Sequence, residues 1–300
     1  MRKPRRTAVR RRRQAGPAAV LMTPFFLLFT GTLAIPMLYA AGLSLFREQR
    51  SGLGFGGAEP VFSGLGNYLE ALSSAEFRGG FVVLALYCLL YIPLMGGLAI
   101  GLALLLDSAL ARARRFMQLV LFLPHAVPGV IAAIIWAYLY TPGLSPVLKL
   151  LASGGIELQL LSQELVLPSI VNIAVWEWTG YNVIIFFTAL QAIDRSVLEA
   201  AQIDGASGWQ VTRQIKVPLI RPAIGVVLLF TIIGSLQLFT EPVILSQATP
   251  AVSSTYTPNL FAYEAAFGRN DFGLAAAASV LLAGFAGLLS YLVTRWDSRR

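Results

Sequence analysis

The sequence predicts an all-α polytopic membrane protein with six transmembrane helices, and three observations lead there. Of its 300 residues 56% are hydrophobic and only 13% charged, about half the charged share of a soluble domain. Stretches 18–46, 80–106, 116–140, 166–190, 223–245 and 272–294 are each apolar over the roughly 20 residues that a helix needs to cross a bilayer. The basic residues are also divided unequally between the two sets of loops that six such spans would create.

The chain opens with eight of its 23 Lys and Arg between Arg2 and Arg13. A block like this is found in nucleic-acid arms too. Directly before a long apolar span it reads instead as contact with anionic lipid headgroups, which holds the terminus in the cytoplasm. Residues 1–16 are therefore expected to be a basic cytoplasmic tail and 17–300 the transmembrane unit; the expected partner is the lipid bilayer, and no nucleic acid is implied. A cleaved signal peptide has an apolar core of only about 7 to 15 residues, shorter than the stretch from Pro17 to Phe46.

Six spans place both termini on one side. The N-terminal tail, residues 107–115, residues 191–222 and the C-terminus together hold 18 basic residues, against five in the other loops (Arg47, Arg50, Arg78, Lys149 and Arg269). By the positive-inside rule the first set is cytoplasmic. The outer loops, about 47–79, 141–165 and 246–271, are rich in Gly, Ser and Pro, and none is long enough for a further domain. Within the spans Pro124 and Pro128 permit kinks, while Gly97, Gly101 and the run Ala275 to Ala278 permit close helix approach. Cys88 is the only cysteine, which excludes an intramolecular disulfide and a thiolate metal cluster.

The fourth loop on the way, 191–222, is cytoplasmic and polar. Ser196 with Glu199, and Ser207 with Gln210, each fit a capping box, and Gly205 between them suits the left-handed position that ends a helix. The segment therefore reads as helix, glycine turn, helix, then Pro218 and Pro222 before the fifth span. Val197, Ala200, Ala201 and Asp204 fall at helical spacings and give a small-residue face that another protein can approach.

Glu199-Ala200-Ala201, three residues, Gly205, nine residues, then Ile215-Lys216-Val217-Pro218 resembles the EAA loop, EAA-x3-G-x9-I-x-L-P, of permease subunits in binding-protein-dependent ABC importers, with valine in place of leucine. Phe62 to Tyr68 resembles the family's F-x-G-L-x-N-Y, and Phe122-Leu123-Pro124 and Phe272-Gly273 resemble its third and last spans. Within the family the chain looks most like the carbohydrate class, relatives of the maltose and glycerol-phosphate systems, although Ser246 to Pro250 stands where many of those have T-x-G-G-P. The resemblance implies a bacterial or archaeal inner-membrane protein that pairs with a second homologous permease, two cytoplasmic ATPase subunits or domains that use ATP and Mg, and an extracytoplasmic substrate-binding protein. It implies docking on the ATPase through Glu199, Ala200, Ala201, Gly205 and Pro218, to which the small-residue face adds Asp204.

Chemistry of other kinds lacks its residues. There is no G-x-x-x-x-G-K-[ST], so this chain forms no phosphate-cradling P-loop and hydrolysis falls to a partner. His125 is the sole histidine, which excludes multi-histidine zinc sites, and a hydrogen-bonded structural role is expected for it. No catalytic residue, metal site or bound cofactor is expected.

Ionisable groups at membrane depth mark functional sites because exposing one to lipid costs at least about 2.5 kcal/mol. Asn172, Trp176, Glu177, Trp178, Tyr181 and Asn182 form a polar and aromatic face on the fourth span. Gln237, Thr240 and Glu241 cluster on the fifth. Hydroxyl-bearing rings need polar partners and an aromatic surface, so these nine residues are the candidate lining of a sugar pathway. Alternatives are another solute such as glycerol phosphate or a polyol, an ion-gradient-driven transporter, or a membrane enzyme using Glu177 or Glu241 as acid or base.

Overall fold

A computed structural model describes residues 8–50, 58–108 and 113–297. Four basic residues of the expected tail (Arg2, Lys3, Arg5 and Arg6), together with Arg112, Arg299 and Arg300, lie outside them. Helix α1 (Ala8–Phe29) passes through a π-helical turn, Thr30–Ala34, into α2 (Ile35–Leu43). Val20, Leu21, Phe25 and Leu27 on α1 are all exposed, as suits a helix surrounded by hydrocarbon. A hairpin of β1 (Phe46–Arg50) and β2 (Ala58–Phe62) follows, antiparallel with Phe46 opposite Phe62, and then α3 (Gly66–Ser73).

Helix α4 (Ala75–Asp107) starts on Ser74, whose hydroxyl accepts the Phe77 N–H. It is followed by α5 (Arg114–Phe122), a 3₁₀ turn Leu123–Ala126, and α6 (Gly129–Tyr140). Next come α7 (Pro146–Ser153), α8 (Val166–Gln191), α9 (Arg195–Ile203) and α10 (Gly208–Val211). A π-helical turn, Thr212–Lys216, leads to α11 (Val217–Leu219) and α12 (Arg221–Leu236). The chain ends with α13 (Thr240–Leu245), α14 (Pro258–Tyr263) and α15 (Phe272–Asp297).

Among the described residues five helices are long and apolar enough to cross a membrane, or six if one bent pair counts as a single span. That pair is the third expected span. The apolar stretch 116–140 implies one helix with room for a kink at its prolines, but its halves meet at 91°. Pro128 lacks an N–H and pushes the residue before it out of the helical region; Val127 and Pro128 are accordingly extended, with ψ of 128° and 131°.

The centre of the bundle is α4 packed on α8. Leu84, Tyr87, Tyr91, Met95, Ala99 and Ala103, spaced three and four apart along one face of α4, bury against Ile170, Ile173, Ala174, Val183, Phe186 and Leu190 of α8. Without water to exclude, the attraction is van der Waals packing, which rewards small residues at the contact. Those residues are Ala99 and Ala103, both fully buried. The Gly97/Gly101 pair lies two residues away, about 200° round the helix, and a Cβ on either would meet nothing within 4 Å.

Beside the N-terminal end of α4, the motif from Phe62 to Tyr68 is bound into the fold. Asn67, fully buried, donates from Nδ2 to the Ser44 and Phe46 carbonyls at 2.9 and 2.7 Å, and the Tyr68 hydroxyl shares a 2.6 Å hydrogen bond with Ser44 Oγ. Gly273 starts the last helix against this knot, where a Cβ would run into the Phe46 carbonyl and Asn67. Ala275 to Ala278 follow, all buried. Thr249, in the segment that departs from T-x-G-G-P, donates to the Leu161 carbonyl at 2.8 Å.

Candidate functional site: a cavity at two broken spans and an exposed helical segment

Two spans are interrupted at the same place. The bend before Gly129 breaks one, and Gln237 to Phe239 leave the helical path between α12 and α13 in the other. The carbonyls this frees are taken up: Asn259 Nδ2 donates to Leu236 O at 2.9 Å, and Thr257 Oγ1 to Leu238 O at 3.2 Å. Non-helical backbone at membrane depth persists only where protein covers it or where it lines a wet cavity. Here both breaks border one cavity of about 250 Å³.

Seven of the nine candidate lining residues meet there: Glu177, Trp178, Tyr181, Asn182, Gln237, Thr240 and Glu241. Glu177 is only 8% exposed, and its Oε1 lies 3.4 Å from where a Cβ on Gly129 would sit; the glycine leaves the carboxylate room. Asn182 is held by the Trp178 carbonyl at 2.9 Å and the Met95 sulfur at 3.3 Å. Neither glutamate makes an ion pair among the described residues, and no lysine or arginine lines the cavity.

Asn172 and Trp176 lie elsewhere. Asn172 donates to the Tyr140 hydroxyl at 2.7 Å, which donates in turn to the Ser169 carbonyl; Trp176 packs edge-on against Trp136. They join α8 to α6. Asn172 precedes Glu177 by five residues, which turns it away from the cavity face.

Sequence reasoning missed Tyr87, Tyr91, Thr231, Ser235 and Phe239, which also line it. Tyr87 and Tyr91 stack with ring centroids 5.2 Å apart, and two tyrosines four apart in an otherwise aliphatic run were the available signal. His125 was expected to be a hydrogen-bonded structural residue. Its ring hydrogen-bonds the backbone of Glu177 while its Nδ1 is buried without a partner, and the ring packs 4.7 Å from Trp178 and 4.6 Å from Tyr181, buttressing the aromatic wall. Gly180 allows this, because a Cβ there would collide with the Leu121 carbonyl of the bent span.

The second candidate site is the segment between α8 and α12. Its first helix is capped by Asp194, whose carboxylate accepts the Ser196 N–H at 2.9 Å, rather than by Ser196 as expected; Asp194 holds the extended conformation that a cap requires. That hydrogen bond keeps the Asp194 carboxyl below its usual pKa. The second expected capping box is present, with Ser207 and Gln210 bonded reciprocally. Gly205 has a φ of +82°, the left-handed turn expected of it. Pro218 does not stop the helix: it lies in α11, which follows directly on the π-helical turn Thr212–Lys216, and the chain stays helical through Leu219.

Glu199, Ala200, Asp204 and Gly205 are exposed, Ala201 and Pro218 partly so. Two large apolar side chains stand out beside them, Ile203 at 86% and Trp209 at 70% exposure, both missed as part of this face. In an aqueous segment such anchors next to a flat small-residue surface suit a protein interface.

Residues 97–300 match the family described as the binding-protein-dependent transport system inner membrane component. The chain belongs to this family. It is a multi-pass membrane permease, a transport component and not an enzyme. The permease is 30% identical to the lactose transport system permease protein LacF of Rhizobium radiobacter, with 92% of this chain and 90% of that protein covered. It is 28% identical to the trehalose transport system permease protein SugA of Mycobacterium tuberculosis over 92% of this chain and 86% of the relative. Its fold is similar to that of a bacterial ABC transporter involved in the import of the acidic polysaccharide alginate, at a TM-score of 0.79 and 21% identity, with 96% of both chains covered.

Proposed function

We propose that the permease forms half of the pathway by which an ATP-driven importer moves a sugar or oligosaccharide into the cell. The observation that carries this reading is the cavity itself, where two broken spans bring carboxylates, amides, hydroxyls and aromatic rings to one wall. Such a wall offers hydrogen bonds to hydroxyls and flat apolar surface to C–H faces. The named sugars of the LacF and SugA relatives fit it. A glycerol-phosphate substrate, the runner-up, suits it less: an anion would leave water for a cavity that offers two carboxylates and no cation.

In this reading the bent pair is one span, the chain crosses six times, and both termini are cytoplasmic, as the 18-to-5 distribution of basic residues favours. A second homologous permease supplies the other wall. An extracytoplasmic binding protein delivers the sugar, and two ATPase subunits or domains using ATP and Mg dock on residues 191–222 through Glu199, Ala200, Ala201, Asp204, Gly205 and Pro218, with Ile203 and Trp209 as anchors. Their closure drives a rigid-body switch between outward and inward access.

The test is uptake in proteoliposomes holding the whole importer. Glu199→Lys and Gly205→Phe abolish ATP-driven uptake and leave membrane insertion intact. Wild-type uptake in both variants would remove the docking role.

A further inference from the structure

Among the described residues, one side-chain bond ties the segment 195–219 to a distant part of the chain. Lys216 Nζ lies 2.5 Å from Asp107 Oδ2, and the pair is largely shielded, with side-chain exposures of 19% and 10%. The same carboxylate accepts from Gln191 Nε2 through Oδ1 at 2.6 Å. Asp107 is the last residue of α4 and Gln191 the last of α8. One carboxylate thus joins the ends of the two helices that carry Tyr87, Tyr91, Glu177, Trp178, Tyr181 and Asn182 to the cavity.

An acidic residue at the final position of a helix is unfavourable, because the carbonyl end of the helix dipole is negative. Asp107 is therefore not explained by helix stability. Arg114 Nη2 donates to the Ser108 carbonyl at 2.8 Å and reaches the Asp107 carbonyl at 3.4 Å, which covers the backbone acceptors and leaves the carboxylate to Lys216 and Gln191. Shielded from water, the pair is screened less than a surface ion pair and resists being pulled apart.

We propose that Asp107 is a positioning residue for transport, the strut through which movement of the segment at Lys216 is passed to α4 and α8 and so to the cavity wall. The proposal rests on the reading that residues 191–222 dock on an ATPase. The three groups act as one unit, and the ion pair needs opposite charges rather than a particular residue at each end.

The native Cys88, half-buried on α4 beside Tyr87, reports on the wall. Its alkylation by N-ethylmaleimide is followed by mass spectrometry of its peptide in the complete importer in nanodiscs, without nucleotide and trapped with ATP, Mg and vanadate. In the wild type the two rates differ by about fivefold, the low end for coupling between two sites. Asp107→Asn and Lys216→Met remove the difference, and the exchanged pair Asp107→Lys with Lys216→Asp restores it. Gln191→Met, at an exposed position that spares the ion pair, reduces the difference without lowering the yield of protein.

A merely structural junction shifts both rates together and leaves their ratio intact, so an unchanged ratio in the single variants overturns the strut. An unchanged ratio in Gln191→Met overturns its arm to α8. Should Glu199→Lys keep the wild-type ratio, the docking reading fails instead.

Discussion

The stretch from Phe62 to Ser73 and the segment from Arg195 to Leu219 lie at opposite ends of α4, and their side chains behave in opposite ways. In the first, Asn67 and Tyr68 are tied to Ser44 and Phe46, and Gly273 is pressed against them. In the second, Glu199, Asp204, Ile203 and Trp209 point away from the chain, and Lys216 alone among the described residues is bonded to a distant helix. The first set of motif residues is accounted for by contacts within the molecule at its polar positions, Asn67 and Tyr68, while Phe62 and Leu65 stay exposed. The second set is not so accounted for, and residues that a fold leaves bare in a regular, capped helical hairpin are explained by what binds them.

The contrast makes the two regions respond differently to substitution. Gly273→Leu places a side chain into the Phe46 carbonyl and is expected to cost more than about 4 kcal/mol, seen as loss of the detergent-stable fraction on heating. Asn67→Ala strands two backbone carbonyls and costs roughly 3 kcal/mol by the same measurement. Ser207→Ala removes one cap and costs about 1 kcal/mol, read as faster hydrogen exchange in 208–212. Glu199→Lys changes stability by less than about 0.5 kcal/mol, even though uptake is abolished. A large loss of stability in Glu199→Lys would move that residue into the first class and dissolve the comparison.

The effect that depends on pH belongs to Asp194, which caps α9. Its carboxyl has a lowered pKa because the Ser196 N–H bonds to the ionised form, so it supports α9 at any pH above the unfolded value of about 3.9. The support is lost as pH falls through the lower, folded value. Hydrogen exchange over 196–203 in Asp194→Ala should be faster than in the wild type at neutral pH, and the two should converge in acid.

How much of this was legible in the sequence follows from the same physics. The spans could be read because hydrocarbon requires long apolar runs, and the left-handed turn at Gly205 because few residues tolerate that backbone. The 91° bend was only half legible: Pro124 and Pro128 announce a kink, but its size depends on Gly180 giving the backbone of Leu121 room on α8. Glu177 and Glu241 were visible as charges among apolar neighbours. Tyr87 and Tyr91 were visible only as a pair four apart, since a single tyrosine within an apolar run looks the same whether it packs in a core or borders a cavity. Asp107 lay outside every motif, and its role depends on Lys216, 109 positions away in sequence.

The central claim is that the segment carrying Glu199 faces the cytoplasm and is covered there by an ATPase. With Cys88 changed to Ser, a single cysteine at Ile203 can be treated with a membrane-impermeant maleimide in intact cells and in inside-out vesicles, with and without the ATPase bound. The account predicts labelling only in inside-out vesicles, suppressed when the ATPase is bound. Labelling of that cysteine in intact cells would contradict it.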